Sequence, residues 1–292
     1  MRIRIIDAFT DRPFSGNPAA VCLLDDADAW PDEAWMQQVA AEMNLSDTAF
    51  AHPLSDGGEA DWALRWFTPE VETNLCGHAT LATAYAMYRD RGAPGTVRFA
   101  SRSGVLVAHS ADDGTITLDF PAAPTTEVGA PEGLVEALGA TPRATYSTGA
   151  LGDLIALLDD EAAVRSITPD LGAIARIARR DGIRGTIVTA ADADPGGGYD
   201  FVSRFFAPAD GIPEDPVTGS AHTALAPFWS ERLGRDDLTA LQVSARGGLV
   251  RSSIHGDRVH LTGHAVIVVD GTLTASRLAA TFGRSVTPAP IR

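Results

Sequence analysis

Arg65-Trp66-Phe67-Thr68-Pro69, running on to Cys76-Gly77-His78-Ala79-Thr80-Leu81-Ala82, returns half a chain later as Arg204-Phe205-Phe206-Ala207-Pro208 followed by Thr218-Gly219-Ser220-Ala221-His222-Thr223-Ala224. The Arg, the second aromatic and the Pro of the two copies keep one spacing. The glycines stand three residues further apart, so the second copy carries three extra residues within Asp210 to Pro216. An aromatic strand feeding a Gly-small-Ala helix start, written twice, signals two homologous halves. Two such helix starts facing each other would build a pseudo-symmetric site at the junction, and function is expected there.

Around this repeat most segments read as strands: Ile3–Phe9, Ala19–Leu24, Ala63–Phe67, Val97–Phe99, Leu106–His109, Ile116–Phe120, Ile187–Ala190 and Phe201–Phe206. A C-terminal meander follows over Gln242–Ala245, Leu249–His255, Val259–Thr262 and Ala265–Asp270, joined by short Gly-containing turns. Gly196-Gly197-Gly198 after Asp194-Pro195 reads as a surface loop. Asp32–Met43 is an amphipathic helix, with Trp35, Met36, Val39, Ala40 and Met43 on one face. His78–Met87 and Ser220–Trp229 are Ala- and Leu-rich around their whole circumference. A helix apolar on all sides belongs inside a shell. The pattern therefore predicts two α/β (α+β) halves, each a mostly antiparallel, barrel-like sheet around one central helix. Pro121–Pro131 reads as the linker. That places one domain at 1–121 and the other at 127–274. The tail 275–292, helical to Phe282, is expected to return and complete the first.

Composition narrows the chemistry. The net charge is −15 and there is no basic run, which disfavours nucleic acid and anionic membrane as partners. All 23 basic residues are Arg, so Schiff-base, pyridoxal-phosphate and P-loop lysine chemistry are excluded. No apolar run approaches the roughly 18 to 20 residues of a membrane span. The N-terminus alternates like a strand and lacks a signal peptide's features, so a cytoplasmic location is expected. Cys22 and Cys76 form no Cys-x-x-Cys pair, and no dinucleotide fingerprint is present. Neither cofactor nor metal is expected.

Further phrases complete a pattern: Asp7-Ala8-Phe9-Thr10, Pro13-Phe14-Ser15-Gly16-Asn17-Pro18, Asn44-Leu45-Ser46-Asp47-Thr48-Ala49-Phe50 and Glu214-Asp215-Pro216-Val217-Thr218-Gly219. With the repeat, they resemble the phenazine biosynthesis PhzF-like proteins, relatives of diaminopimelate epimerase and proline racemase, from about Ile5 to about Gly271. The resemblance implies two diaminopimelate epimerase-like domains with the site between them, a homodimer, and a cofactor-independent isomerase acting on a small anionic metabolite. It places Asp47 at the family's general acid/base, which is ordinarily Glu. Asp is shorter by roughly 1.5 Å, and its carboxyl must be raised by burial to act near neutrality. The bland alternative for Asp47 is a polar cap.

Gly77 and Gly219 at the helix starts offer free N–H groups and positive dipole ends for a substrate carboxylate, or merely allow close packing. His78, Asp215 and Ser220 match positions that contact substrate or assist the proton, while Asn17 contacts substrate or holds a turn. In the related racemases two thiols flank the reacting carbon. Here the second thiol position holds Thr218, too weak a base to replace a thiolate, and Asn74 stands where an acid is expected. A noncatalytic anion-binding protein and a one-cysteine racemase are the competing readings.

Overall fold

The two halves share one order of strands around a central helix, the second adding helices, in the computed structural model, which describes residues 1–24, 29–54, 58–92, 94–192 and 197–274. The first half runs β1 (Arg2–Ala8), β2 (Asn17–Leu23), α1 (Glu33–Met43), β3 (Asp47–Pro53), β4 (Trp62–Phe67), β5 (Glu72–Thr73), α2 (Gly77–Arg91), β6 (Gly95–Ser101), β7 (Gly104–Ser110), β8 (Ile116–Pro121) and β9 (Thr126–Val128). The second runs α3 (Leu134–Leu138), β10 (Ala144–Ser147), β11 (Leu154–Leu157), α4 (Glu161–Ser166), α5 (Leu171–Asp181), β12 (Thr186–Ala191), β13 (Phe201–Ala207), β14 (Ile212–Asp215), α6 (Gly219–Leu233), β15 (Asp237–Gln242), β16 (Gly248–His255), β17 (Arg258–Gly263) and β18 (Ala265–Thr272). The expected C-terminal helix to Phe282 and residues 193–196 of the expected Gly-rich loop lie outside the described residues.

Strand pairing carries the repeat further than the sequence does. In the first half β1–β2 is antiparallel, β2–β3 parallel, β3–β4 antiparallel and β4–β6 parallel, and β6, β7 and β8 form a meander. The same order of signs recurs through β10–β11, β11–β12, β12–β13, β13–β15 and the meander β15, β16, β17. The halves then exchange their last strands. β9 pairs with β10, β18 pairs with β1, and β8 lies antiparallel to β17 with Leu118 opposite Leu261. Local hairpins and long-range exchange thereby join one continuous sheet.

The two Ala-rich helices sit inside it, as their uncharged circumference requires. Ala79, Leu81, Ala82 and Ala86 of α2 and Ala221, Ala224, Leu225 and Ala226 of α6 belong to a single buried cluster. Burying such a face contributes about 25 cal/mol per Å² of apolar surface. α6 tolerates Pro227 in its interior. Proline has no N–H to give the carbonyl four residues back, and that carbonyl, of Thr223, accepts instead from the Ala123 N–H at 3.0 Å. α1 starts at Asp32, whose carboxylate accepts the Trp35 N–H, and ends on Asn44 in the left-handed region.

Three expectations change. The stretch from Asp47 is a strand, β3, held between β2 and β4. The proline-rich linker includes β9, because an extended backbone there finds a partner in β10. The strand expected at Gln242–Ala245 ends at Gln242; Asp237–Gln242 is the segment in register with both β13 and β16.

Candidate active site

The two helix starts meet as the repeat implies. A methyl group built on Gly77 would lie 3.4 Å from the Gly219 Cα, and one on Gly219 would lie 3.4 Å from the Gly77 Cα. Neither helix has a side-chain cap: Cys76 and Thr218 occupy the cap positions in extended conformation. Their side chains are used differently. The Thr218 hydroxyl donates to Asp215 Oδ2 at 2.5 Å, and the Cys76 sulfur lies within 4.8 Å of an Asp47 carboxylate oxygen. Each half therefore places one buried carboxyl against the cap residue of its own central helix. Asp47 comes from the first residue of β3 and Asp215 from the last of β14.

Asn17 ties these halves together. It is fully buried, and its Nδ2 donates to Asp215 Oδ1 at 2.8 Å and to the Val217 carbonyl at 2.9 Å, while lying 3.2 Å from His78 Nδ1. The turn before it is rigid. Gly16 has φ +64°, and a Cβ there would sit 2.2 Å from the Ala8 carbonyl oxygen, so only glycine fits. Arg246 clamps the turn by donating to the Ser15 and Gly16 carbonyls and to buried Asp7. On the other side Gln242 donates to the Asp215 carbonyl at 2.7 Å and accepts the Thr218 N–H at 2.9 Å.

His78 Nε2 stands 3.8 Å from Asp47 Oδ2, and Cys76 Sγ lies 3.4 Å from His78 Nδ1. Thr73 Oγ1 reaches Asp47 Oδ1 at 3.5 Å. Burial dominates the electrostatics. It pushes the Asp47 carboxyl up to about 7, against the opposing Cys76 hydrogen bond and with help from the charge of Asp215. Asp215 is likewise raised by burial, to about 6, with Thr218 and Asn17 pulling the other way. His78 is pushed down to about 3 by burial, so its imidazole is neutral at physiological pH, unlike the near-neutral titration expected of histidine. Burial raises the Cys76 thiol well above its usual value, which removes the thiolate a one-cysteine racemase needs.

Two cavities adjoin this cluster through its chain neighbours, and neither is lined by Asp47, His78 or Asp215 themselves. One, of about 310 Å³, is bounded by Gly77, Ser220 and Thr223 and by the apolar Leu75, Phe120 and Leu151. The other, of about 330 Å³, is bounded by Asn44–Ser46, Thr68–Val71 and Asp210–Glu214. Its third wall contains part of the stretch that holds the three extra residues of the second repeat. Ser46 and Glu214 precede the two carboxyl residues, so this cavity borders the acid side and the first borders the helix starts.

The residues proposed from sequence thus assemble: Asp47, His78, Asn17 and Asp215 form one buried network, with Gly77, Gly219 and Ser220 at the adjoining helix ends. Sequence reasoning missed Thr218 as a carboxyl partner, although its place opposite Cys76 in the repeat was a usable signal. It also missed Gln242 and Arg184. Arg184 donates to Ser220 Oγ at 3.1 Å and to Asp153 at 2.5 Å, bringing a cation to the second helix start. No local motif marks either residue. Among the described residues no helix is long and apolar enough to cross a membrane.

Comparison with known proteins gives the family and the fold. The model of the family described as phenazine biosynthesis-like protein matches residues 6–271. The chain is 48% identical over 272 residues to an uncharacterized isomerase of Pseudomonas aeruginosa, covering 93% of this chain and 97% of the relative. A crystal structure of a PhzF-family phenazine biosynthesis protein from Enterococcus faecalis superposes with a TM-score of 0.83 at 41% identity, covering 92% of this chain and 97% of that one. A hydroxyproline epimerase from Agrobacterium vitis, 14% identical, shares the fold alone, with a TM-score of 0.59 over 93% of this chain and 91% of its own. The fold is the diaminopimelate epimerase-like one expected from sequence.

Proposed function

Because the chain belongs to the phenazine biosynthesis-like family and is an isomerase, we propose that it moves a proton within a small carboxylate-bearing metabolite by general acid/base catalysis, without a cofactor. The observation that carries this reading is the pair of buried carboxyl groups, one from each half, each lying beside the cap side chain of its own central helix. A carboxyl held near neutrality is suited to both taking and returning a proton at physiological pH. Asp47, raised to about 7, is the base that removes the proton from carbon and, once protonated, the acid that returns one elsewhere. Asp215 and the neutral His78 flank it, linked through the Asn17 amide, and tune or relay the proton.

The substrate carboxylate is assigned to the two helix starts. Backbone N–H groups of Gly77, His78, Gly219 and Ser220 and two dipole ends would converge on it, with Arg184 beside Ser220. This gives an acidic, lysine-free chain a way to hold an anion. Exclusion of water from the cluster strengthens each of these interactions. Asp47→Asn is the test: turnover is lost while the ligand still binds, as read by calorimetry with the isomerised carboxylate. Unchanged turnover in this variant would remove Asp47 from the mechanism.

A further inference from the structure

The first helix start brings together three kinds of metal-binding atom, and the second has no thiol, Thr218 standing in the place of Cys76. A carboxylate oxygen of Asp47, the sulfur of Cys76 and an imidazole nitrogen of His78 all lie within 4.8 Å of one another, and all three residues are buried. Asp47 Oδ2 is 3.8 Å from His78 Nε2, which is 3.9 Å from Cys76 Sγ. In a tetrahedral zinc site, with bonds of about 2.0 to 2.3 Å, the edges between ligand atoms come to about 3.3 to 3.6 Å. These two edges therefore exceed the tetrahedral values by roughly half an ångström or less, a gap that small side-chain rotations close. Cys76 and His78 are fixed by one turn of α2, and Asp47 by the start of β3. Asn17 meets the other ring nitrogen, Nδ1, at 3.2 Å, and Nε2 is the nitrogen that faces Asp47. At the equivalent positions of the second repeat stand Thr218 and Ser220, so the soft donor set occurs once.

We infer that Asp47, Cys76 and His78 form a site for a thiophilic divalent transition-metal ion of the zinc class, and that its occupation switches the enzyme off. One sulfur, one nitrogen and one oxygen donor favour zinc or cobalt over magnesium or calcium, and three protein ligands leave a fourth position for water. On binding, the Cys76 thiol gives its proton to solvent as the sulfur–metal bond forms, and Asp47 is committed to the ion instead of the substrate proton. The binding stands on the donor geometry; the inhibition rests on the role proposed above for Asp47.

The test titrates chelator-treated wild-type protein with Co²⁺ and records its absorption spectrum. One equivalent is expected to produce a thiolate-to-cobalt charge-transfer band that Zn²⁺ displaces, that Cys76→Ser abolishes, and whose affinity His78→Asn lowers at least about tenfold. Circular dichroism establishes that each variant is folded. On wild type, Zn²⁺ is also expected to protect Cys76 from alkylation, read by mass spectrometry. Absence of the band in wild type, its persistence in Cys76→Ser, or alkylation unaffected by Zn²⁺ would overturn the site. A band that appears while saturating Zn²⁺ leaves turnover unchanged would overturn the switch, and with it the role of Asp47, but not the site.

Discussion

Asp47→Asn should stabilise the protein at pH 8 while silencing it. Burial raises the Asp47 carboxyl from 3.8 to about 7 in the folded chain. A carboxyl with a raised folded value favours folding when protonated, so its contribution is intact below about pH 4 and is lost as pH climbs toward 7 and beyond. At about 1.4 kcal/mol per unit, the fully ionised group costs the fold on the order of 4 kcal/mol at pH 8 and well under 1 kcal/mol at pH 4. Asparagine keeps the shape and never ionises. Its own packing and hydrogen-bonding changes are common to both pH values and cancel in the comparison. For a chain of this size a kcal/mol moves the melting temperature by about 2 to 4 °C. The variant should therefore gain roughly 5 to 15 °C relative to wild type between pH 4 and pH 8. Scanning calorimetry of both proteins at the two pH values reads it directly. A difference in melting temperature that does not change with pH would mean that Asp47 ionises freely, and the reasoning would fail.

Thr218→Val removes the 2.5 Å hydroxyl donor to Asp215. A hydrogen bond to a charged group is worth about 1.5 to 3 kcal/mol, so the Asp215 midpoint should rise by about 1 to 2 units, moving the corresponding limb of the pH–rate profile upward. Gly16→Ala places a Cβ 2.2 Å from the Ala8 carbonyl oxygen at a φ of +64°; the expected loss is about 1 to 3 kcal/mol of stability or more, together with reduced turnover because Asn17 shifts. Arg184→Gln withdraws the cation beside Ser220 and should raise KM about tenfold with kcat little changed, the signature of uniform binding.

Much of this architecture was legible because it is written twice. The Arg-aromatic-Pro phrase and the Gly-small-Ala helix starts give the duplication and the buried helices from pattern alone. His78 and Asp215 stand beside those starts, and the family resemblance singles them out together with Asp47. The strand exchange was not legible: nothing in Thr126–Val128 or Ala265–Thr272 indicates that each pairs with the opposite half, because partner choice in a sheet is a long-range property. Gln242 and Arg184 were hidden for a related reason. Each lies over 20 residues from Asp215, and only the fold brings them to it or to Ser220. The protonation pattern was half legible. A raised Asp47 was a requirement of the chemistry, but a His78 driven to about 3 is a consequence of burial that only the fold reveals.

The most direct test of the central claim is proton NMR in D₂O, with wild type and Asp47→Asn each incubated with a panel of small carboxylates that includes dihydro-hydroxyanthranilate. Deuterium entering a carbon position with wild type, and not with Asp47→Asn at equal ligand occupancy, is the result this account predicts. Deuterium incorporated at the same rate by both proteins would contradict it.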